Sequence, residues 1–229
     1  MLSHLRSVLC GLICVVTCNC GNASEAGLRT LYLIRHGIYD PTPAADDRTG
    51  NNLNALGREQ AGFVAERLAG LPIQFTTVVS SEFARAKETA DIIASRLRLE
   101  CERSPLLNET IAAGIGIPAT RVDPGSDEQL NAAWEHFFRP RAAGEASTHE
   151  VLVCHSIVIR WLVCRALGVN PASWPQMEIA NGSLTILQVR PDGTVRLQVF
   201  NDTAHVPLAK QTWSGRGPDW PLPAQPRRR

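Results

Sequence analysis

Apolar and polar positions along the chain follow two spacings in turn, and that alternation predicts its elements. Short, nearly continuous apolar or β-branched runs occur at "TLYLIR" (30–35), "FTTVVSS" (75–81) and "HEVLVCH" (149–155), as expected of strands covered on both faces of a sheet. Each is followed by a stretch with apolar residues at helical spacing: "NALGREQAGFVAERLAGL" (54–71), "EFARAKETADIIASRL" (82–97) and "SIVIRWLVCRALG" (156–168). "NGSLTILQVR" and "GTVRLQVFND" form a β pair about the turn Pro191-Asp192-Gly193. Strands that alternate with helices predict an α/β fold, a three-layer α/β/α sandwich with a mostly parallel central sheet.

The pattern bounds one domain over residues 28–209. Within it, "TIAAGIGIPATRVDPGSDEQL" (110–130) is Gly- and Pro-rich and too long for a simple connection, so it is expected to be a lid-like loop. The Pro/Arg-rich stretch 210–229 is expected to be a disordered, solvated tail. At the other end, residues 1–27 join the weakly basic "MLSHLR" to the apolar "SVLCGLICVVTC" and the small residues of "NCGNASEAG". An apolar run this short falls below the ~20 residues a spanning helix needs. It predicts a signal peptide or short N-terminal anchor, hence a secreted or periplasmic protein or one held at a membrane by that segment.

Composition narrows the choice further. A chain of 229 residues, 44% hydrophobic and 20% charged, can bury one substantial core. The formal net charge of +1 gives no general attraction to nucleic acid, so anion binding must come from locally placed arginines. Four of the seven cysteines lie in the leader, and the three in the body, Cys101, Cys154 and Cys164, form no disulfide framework. No cluster of Cys, His and Asp suggests a metal site, and no cofactor is implied.

Candidate chemistry gathers where predicted strands end, which is where open α/β sheets bind ligands. "TLYLIR" stops at Arg35, with His36 and Gly37 next; "HEVLVCH" stops at His155; Arg85 lies in the first turns of the helix after "FTTVVSS". Neighbouring strands would bring two guanidiniums and two imidazoles into one pocket suited to a phosphate dianion. Gly37 would let a backbone amide approach an oxygen. His36 could attack phosphorus and form a phosphohistidine, while Glu109 in "LLNET" is the candidate proton donor to the departing alkoxide. Arg48, Arg121 and Arg160 could extend the basic surface. "CHSIVIR" also satisfies the Cys-x5-Arg spacing of thiol-dependent phosphatases, but its β-branched interior and lack of glycine suit a buried helix start. The same pocket could serve a non-enzymatic phosphate-binding module.

"LIRHG", "SSEFARAKETA", "LLNE" and "VCHS", in that order, resemble the motifs of the histidine phosphatase, or phosphoglycerate mutase-like, superfamily over about residues 30–206. The resemblance implies that His36 accepts the phosphoryl group, that Arg35, Arg85 and His155 bind it, and that Glu109 donates the proton, with no metal. "DRTGNNLNALGREQA", "NGSLTILQVRPDG" and "DTAHVP" are similar to its mitochondrial serine/threonine phosphatase branch. The leader departs from that branch in reading as secretory. The expected substrate is a phosphorylated protein, the alternatives a small phosphomonoester or a mutase reaction; nucleic acid is not expected as a partner, and a dimer is the expected assembly.

Overall fold

The computed structural model describes residues 27–42, 45–48 and 50–213. The leader, but for Gly27, lies outside the described residues, as do its cysteines and the tail beyond Trp213. Six strands form one sheet in the order β3-β2-β4-β1-β5-β6. They are β1 (Arg29–Arg35), β2 (Thr77–Ser80), β3 (Cys101–Arg103), β4 (Thr148–Cys154), β5 (Leu184–Val189) and β6 (Val195–Asp202). β1, β4, β2 and β3 run parallel, whereas β5 and β6 add an antiparallel edge.

Successive side chains of β1 point to opposite faces, and both faces are buried. Leu31 and Leu33 join Leu152, Leu130, Phe137 and Ile159 in one core, under α3 (Ser126–Phe137) and α4 (Ser156–Ala166). Tyr32 and Ile34 join Val78, Val151, Leu68 and Ile93 in the other, under α1 (Ala55–Ala69) and α2 (Ala84–Leu97). This is the expected three-layer sandwich, and two-sided burial explains why the central strands read as unbroken apolar runs.

Two elements escape the sequence pattern. β3 has three residues, Cys-Glu-Arg, and pairs only with β2, so an edge position leaves its Glu102 and Arg103 exposed. α3 begins inside the stretch expected to be loop: Gly125 adopts a left-handed conformation (φ 75°) at its start, Asp127 and Glu128 occupy the first turn, and Leu130, Ala133 and Phe137 turn inward. The remainder of 110–130 is held by side-chain hydrogen bonds. Asp123 accepts hydrogen bonds from the backbone of Ile111 at 2.7 Å and the hydroxyl of Thr110, and Trp174 Nε1 donates to the carbonyls of Ala112 and Ala113. The packed domain also runs past 209, because Thr212 and Trp213 are buried and Trp213 bridges to Ala180.

Register sets the strand ends level. Arg35 lies opposite Cys154 and Ser80 opposite Val153. One residue further, His36 N–H donates to Cys154 O at 3.1 Å and Ser81 N–H to Val153 O at 2.9 Å. α1 then presses on the end of β1 through two glycines: a Cβ on Gly37 would overlap the Gly57 carbonyl, and one on Gly57 would overlap the Ile38 carbonyl oxygen. Asn54 caps the helix by accepting from Gly57 N–H at 2.9 Å. Gly57→Ala is therefore expected to destabilise the fold by about 1–3 kcal/mol or more, because backbone cannot yield as a side chain can. Urea denaturation would read this as a lower midpoint, and an unchanged midpoint would contradict the contact.

Candidate active site

The level ends of β1, β2 and β4 bring the sequence-nominated residues together. The rings of His36 and His155 stand 5.0 Å apart between centroids, and Arg35, His36, Arg85 and His155 are each less than a tenth exposed. Arg35 donates one NH group to Ile179 O at 2.7 Å, and Arg85 donates one to Asp47 Oδ1 at 2.6 Å. Both leave a buried Nε without a partner, and so does His155 at Nδ1. The Arg85 guanidinium lies between two rings, 4.7 Å from the centroid of Tyr39 and 5.1 Å from that of Phe83. Phe83 in turn stands 5.2 Å from His155.

Burial dominates the protonation states. It holds the imidazole of His36 well below the ordinary histidine range, and the charges of Arg35 and Arg85 push the same way, against a smaller opposing effect of the Gly37 carbonyl. His155 is lowered likewise, by burial first and then by His36, Arg85 and Arg35. Both rings are thus neutral at neutral pH. His36 Nδ1 contacts Gly37 O at 2.8 Å; a carbonyl only accepts, so Nδ1 carries the hydrogen and Nε2 the lone pair. Burial lowers even Arg35, to about 10, with Glu109 opposing.

Glu109 follows a 3-10 turn at Pro105–Leu107 and reaches the amino end of α4. Its Oε1 accepts from Ile157 N–H at 3.1 Å, and its Oε2 lies 3.4 Å from His155 Nδ1. Burial raises its carboxyl above the usual range, although the Ile157 amide and then Arg35, Arg85 and Arg160 oppose the shift. The two carboxylates that flank Arg85 in sequence, Glu82 and Glu88, are engaged elsewhere. Glu82 is held low by Asn108 and Arg48, and Glu88 accepts from Leu53 N–H and Arg58.

Gly37 does not have the expected role. Its N–H donates to Thr89 Oγ1 at 3.1 Å, so the amide is committed to α2 and the missing side chain makes room for α1 instead. Arg160 is also committed, through Nε and one NH group to Ser156 and through the other to Met177 O, with its guanidinium over Trp174. Arg48 is exposed and pairs with Glu82, and Arg121 is exposed in a 3-10 turn. Cys154 is fully buried, its thiol pushed upward by burial, and the residues after it are helix rather than an anion-binding loop. A cavity of about 600 Å³ lies at the far end of α4 among Trp161, Arg165, Val169 and Pro171, away from all these residues.

Several site residues were not nominated by sequence. Ser81 and Asn108 lie inside motifs already noted, and Ser81 Oγ contacts both His155 Nε2 at 2.8 Å and Asn108 Oδ1 at 2.9 Å. Asn181, Gln60 and Thr212 carry no local signal. Asn181 donates to His36 O, Gln60 accepts from Ile38 N–H, and Thr212 bonds to both Asn181 and Gln60. Among the described residues no cluster of His, Cys, Asp and Glu could hold a metal ion.

Known proteins resemble the chain over most of its length. The model of the histidine phosphatase superfamily (branch 1) matches residues 31–151 and 126–203. The chain belongs to the histidine phosphatase superfamily. It is 37% identical over 195 residues to the serine/threonine-protein phosphatase PGAM5, mitochondrial, of Rattus norvegicus, covering 81% of this chain and 67% of that protein. The Homo sapiens protein of that name is also 37% identical, covering 81% of this chain and 66% of its own length. Among solved structures, a mycobacterial glucosyl-3-phosphoglycerate phosphatase superposes with a TM-score of 0.56 at 25% identity, covering 77% of this chain and 100% of that one. These relatives overturn the expected secreted or periplasmic location, since they are named mitochondrial, and they lend the expected signal peptide no support. A short apolar run after a weakly basic start does not by itself encode export. No helix among the described residues is long and apolar enough to cross a membrane.

A histidine phosphatase with this many unpartnered buried donors should bind free phosphate. Orthophosphate is expected to raise the melting temperature, by the equivalent of about 2.7 kcal/mol at a hundred times its dissociation constant. Arg85→Ala should abolish that shift, and a shift of equal size in the variant would contradict the assignment.

Proposed function

We propose that the chain is a phosphatase that moves the phosphoryl group of a phosphomonoester to His36 and then to water, with phosphoserine and phosphothreonine side chains of proteins as its substrates. One observation carries this reading: three buried nitrogens, Arg35 Nε, Arg85 Nε and His155 Nδ1, lack partners in the cluster that contains His36. Leaving buried donors unpaired costs about 1–3 kcal/mol each, and a phosphoryl group would satisfy them.

In the proposed reaction Arg35, Arg85 and His155 hold the phosphoryl oxygens. His36 Nε2 attacks phosphorus, the ester P–O bond breaks, and Glu109 gives its proton to the leaving oxygen. The Nδ1–H bond to Gly37 O orients the ring and shares the positive charge it gains. Water then attacks the phosphohistidine, the P–N bond breaks, and the Glu109 carboxylate takes the proton that the water loses. Burial of Glu109 favours the protonated acid, and the Ile157 amide and nearby arginines favour the carboxylate, so both states are accessible within one turnover.

The names of the relatives support a phosphoprotein substrate and make mitochondria the compartment to examine first. So does the commitment of Arg160 to Ser156 and Met177, which leaves it engaged away from a second anionic group of a sugar phosphate. Likeness to the mycobacterial enzyme keeps a small phosphomonoester as the second reading. Turnover of phosphoserine and phosphothreonine peptides beside sugar phosphates decides between them, and binding of phosphate without turnover would leave a scaffold module.

His36→Ala is expected to abolish turnover and acid-labile labelling by phosphate, while Cys154→Ala retains most activity; the reverse pattern would replace the nucleophile. Glu109→Gln should slow phosphoenzyme formation from phosphoserine by ~10²–10⁴ in a rapid-mixing experiment, and far less from p-nitrophenyl phosphate, whose phenolate leaves without a proton. Equal losses on the two substrates would move the acid role to another group.

A further inference from the structure

Four aromatic rings stand in series across the site. Between centroids, Tyr39 lies 5.6 Å from His36, His36 5.0 Å from His155, and His155 5.2 Å from Phe83, at angles of 60° to 66°. The Arg85 guanidinium closes the series, over the ring of Tyr39 on one side and over that of Phe83 on the other. The imidazoles and the guanidinium are buried, whereas Tyr39 and Phe83 at the two ends are half-buried. Each end ring thus gives one face to Arg85 and still has apolar surface open to water. Asp47, Glu109 and Arg48 reach solvent around the same cluster, and each is engaged with protein: Asp47 accepts from Arg85 and from the Asn51 side chain, Glu109 from the Ile157 amide, and Arg48 pairs with Glu82.

The two end rings differ in the side of the reaction they face. In a phosphoryl transfer the attacking and leaving atoms take opposite sides of phosphorus. Tyr39 stands against His36, the imidazole that attacks. Phe83 stands against His155, the imidazole that Glu109 also reaches, at 3.4 Å from Nδ1. The carbon that follows the leaving oxygen therefore departs on the side of Glu109 and Phe83. The direction of Phe83 is fixed beforehand: it is extended at the start of α2 (φ −74°, ψ 138°), and its N–H donates to Ser81 Oγ at 3.1 Å.

We infer that Phe83 is a specificity-determining residue: its open ring surface receives an apolar part of the leaving group, so the enzyme favours a phosphoserine or phosphothreonine with an aliphatic or aromatic residue directly beside it. The inference rests on the reading of His36 as nucleophile and Glu109 as acid. An apolar neighbour removes its own surface and that of the ring from water. A polyol gains little there, because its hydroxyls would be covered by carbon that offers no hydrogen bond. A basic neighbour gains little as well, since Arg85 already stands over the ring at 5.1 Å and repels a second cation.

Two uncleavable probes, methylphosphonate and phenylphosphonate, test the ring without turnover, at a pH at which both are dianions. Phenylphosphonate is expected to raise the melting temperature of the full chain more than methylphosphonate at equal concentration. Phe83→Ser should remove most of that difference, and Phe83→Tyr should keep it. In turnover, kcat/KM for a phosphothreonine peptide with Phe beside the phosphoresidue should exceed that for the same peptide with Ser there by about three- to tenfold, through KM more than kcat. Phe83→Ser should bring this ratio near one. Tyr39→Ser, which strips Arg85 of its other ring, should lower both constants and leave the ratio standing. Equal stabilisation of the unaltered protein by the two phosphonates would overturn the inference even if His36 and Glu109 act as proposed. A ratio lost as fully in Tyr39→Ser as in Phe83→Ser would reduce both rings to supports of Arg85 and overturn it too. An active His36→Ala variant would instead overturn the catalytic reading, while a phenylphosphonate preference that depends on Phe83 would still support the aromatic contact.

Discussion

Two guanidiniums buried beside two neutral imidazoles are the constraint on which the rest of the structure depends. Arg35 and Arg85 are 6% and 4% exposed, and taking such charges out of water costs several kcal/mol unless partners compensate. Full compensation by carboxylates would close the site to a phosphate. The fold instead gives Arg35 a backbone carbonyl, that of Ile179, and gives Arg85 the carboxylate of Asp47 on a neighbouring loop, leaving each Nε unpaired. Such a site is tolerable because the sheet beneath it is well packed: Leu31, Leu33, Ile34, Leu152 and Val153 are fully buried on its two faces. Strain at a functional site is offset elsewhere in the molecule, here by the central strands that carry it.

The backbone around His36 is held from three directions, and this accounts for residues that no motif explains. Gln60 of α1 accepts from Ile38 N–H and donates to Lys210 O and Thr212 Oγ1. Thr212 donates to Asn181 Oδ1, and Asn181 Nδ2 donates to His36 O. Gly182 N–H bonds to Arg35 O at 3.0 Å. A helix, the turn before β5 and the segment after β6 thus meet on the same loop, with Gly37 and Gly57 permitting the approach. All of Gln60, Asn181 and Thr212 are buried and hydrogen-bonded, so the loop is fixed by polar groups whose alternatives are unsatisfied ones.

What was legible in the sequence follows from what periodicity can encode. β1 and β4 read as strands because both their faces are apolar, and Arg35 and His155 stood out because charge and imidazole end such runs. Glu109 was legible as a lone carboxylate opening a loop, though nothing local shows that it meets the amino end of α4. β3 was missed because an edge strand of three residues needs no apolar alternation. α3 was missed because the Gly- and Pro-rich segment before it runs straight into its first turn. Gly37 departs from expectation for a different reason: a glycine reports a close approach without naming the partner, which here is another backbone and not an anion. Packing continues past 209 because Thr212 and Trp213 are held by residues some thirty positions earlier, a contact no local pattern reveals.

The aromatic flanks of Arg85 complete the electrostatic logic. Asp47 is 44% exposed on its side chain, and so much water screens an ion pair toward the ~1 kcal/mol or less of a surface bridge. Tyr39 and Phe83, by contrast, present ring faces to the same guanidinium at 4.7 and 5.1 Å, and such contacts reach about 2 kcal/mol when desolvated. A ring face stabilises a cation without bringing a formal negative charge into the pocket, so it holds Arg85 in place and leaves the local potential positive. A third carboxylate there would have stabilised the arginine equally well and repelled the phosphate. Tyr39 owes its position to the bridge with Leu53, and Phe83 to the hydrogen bond from its amide to Ser81. Ser81, which meets His155 Nε2 at 2.8 Å, therefore also anchors the ring that lies against Arg85, and the surroundings of the two side chains are mechanically joined through one buried hydroxyl.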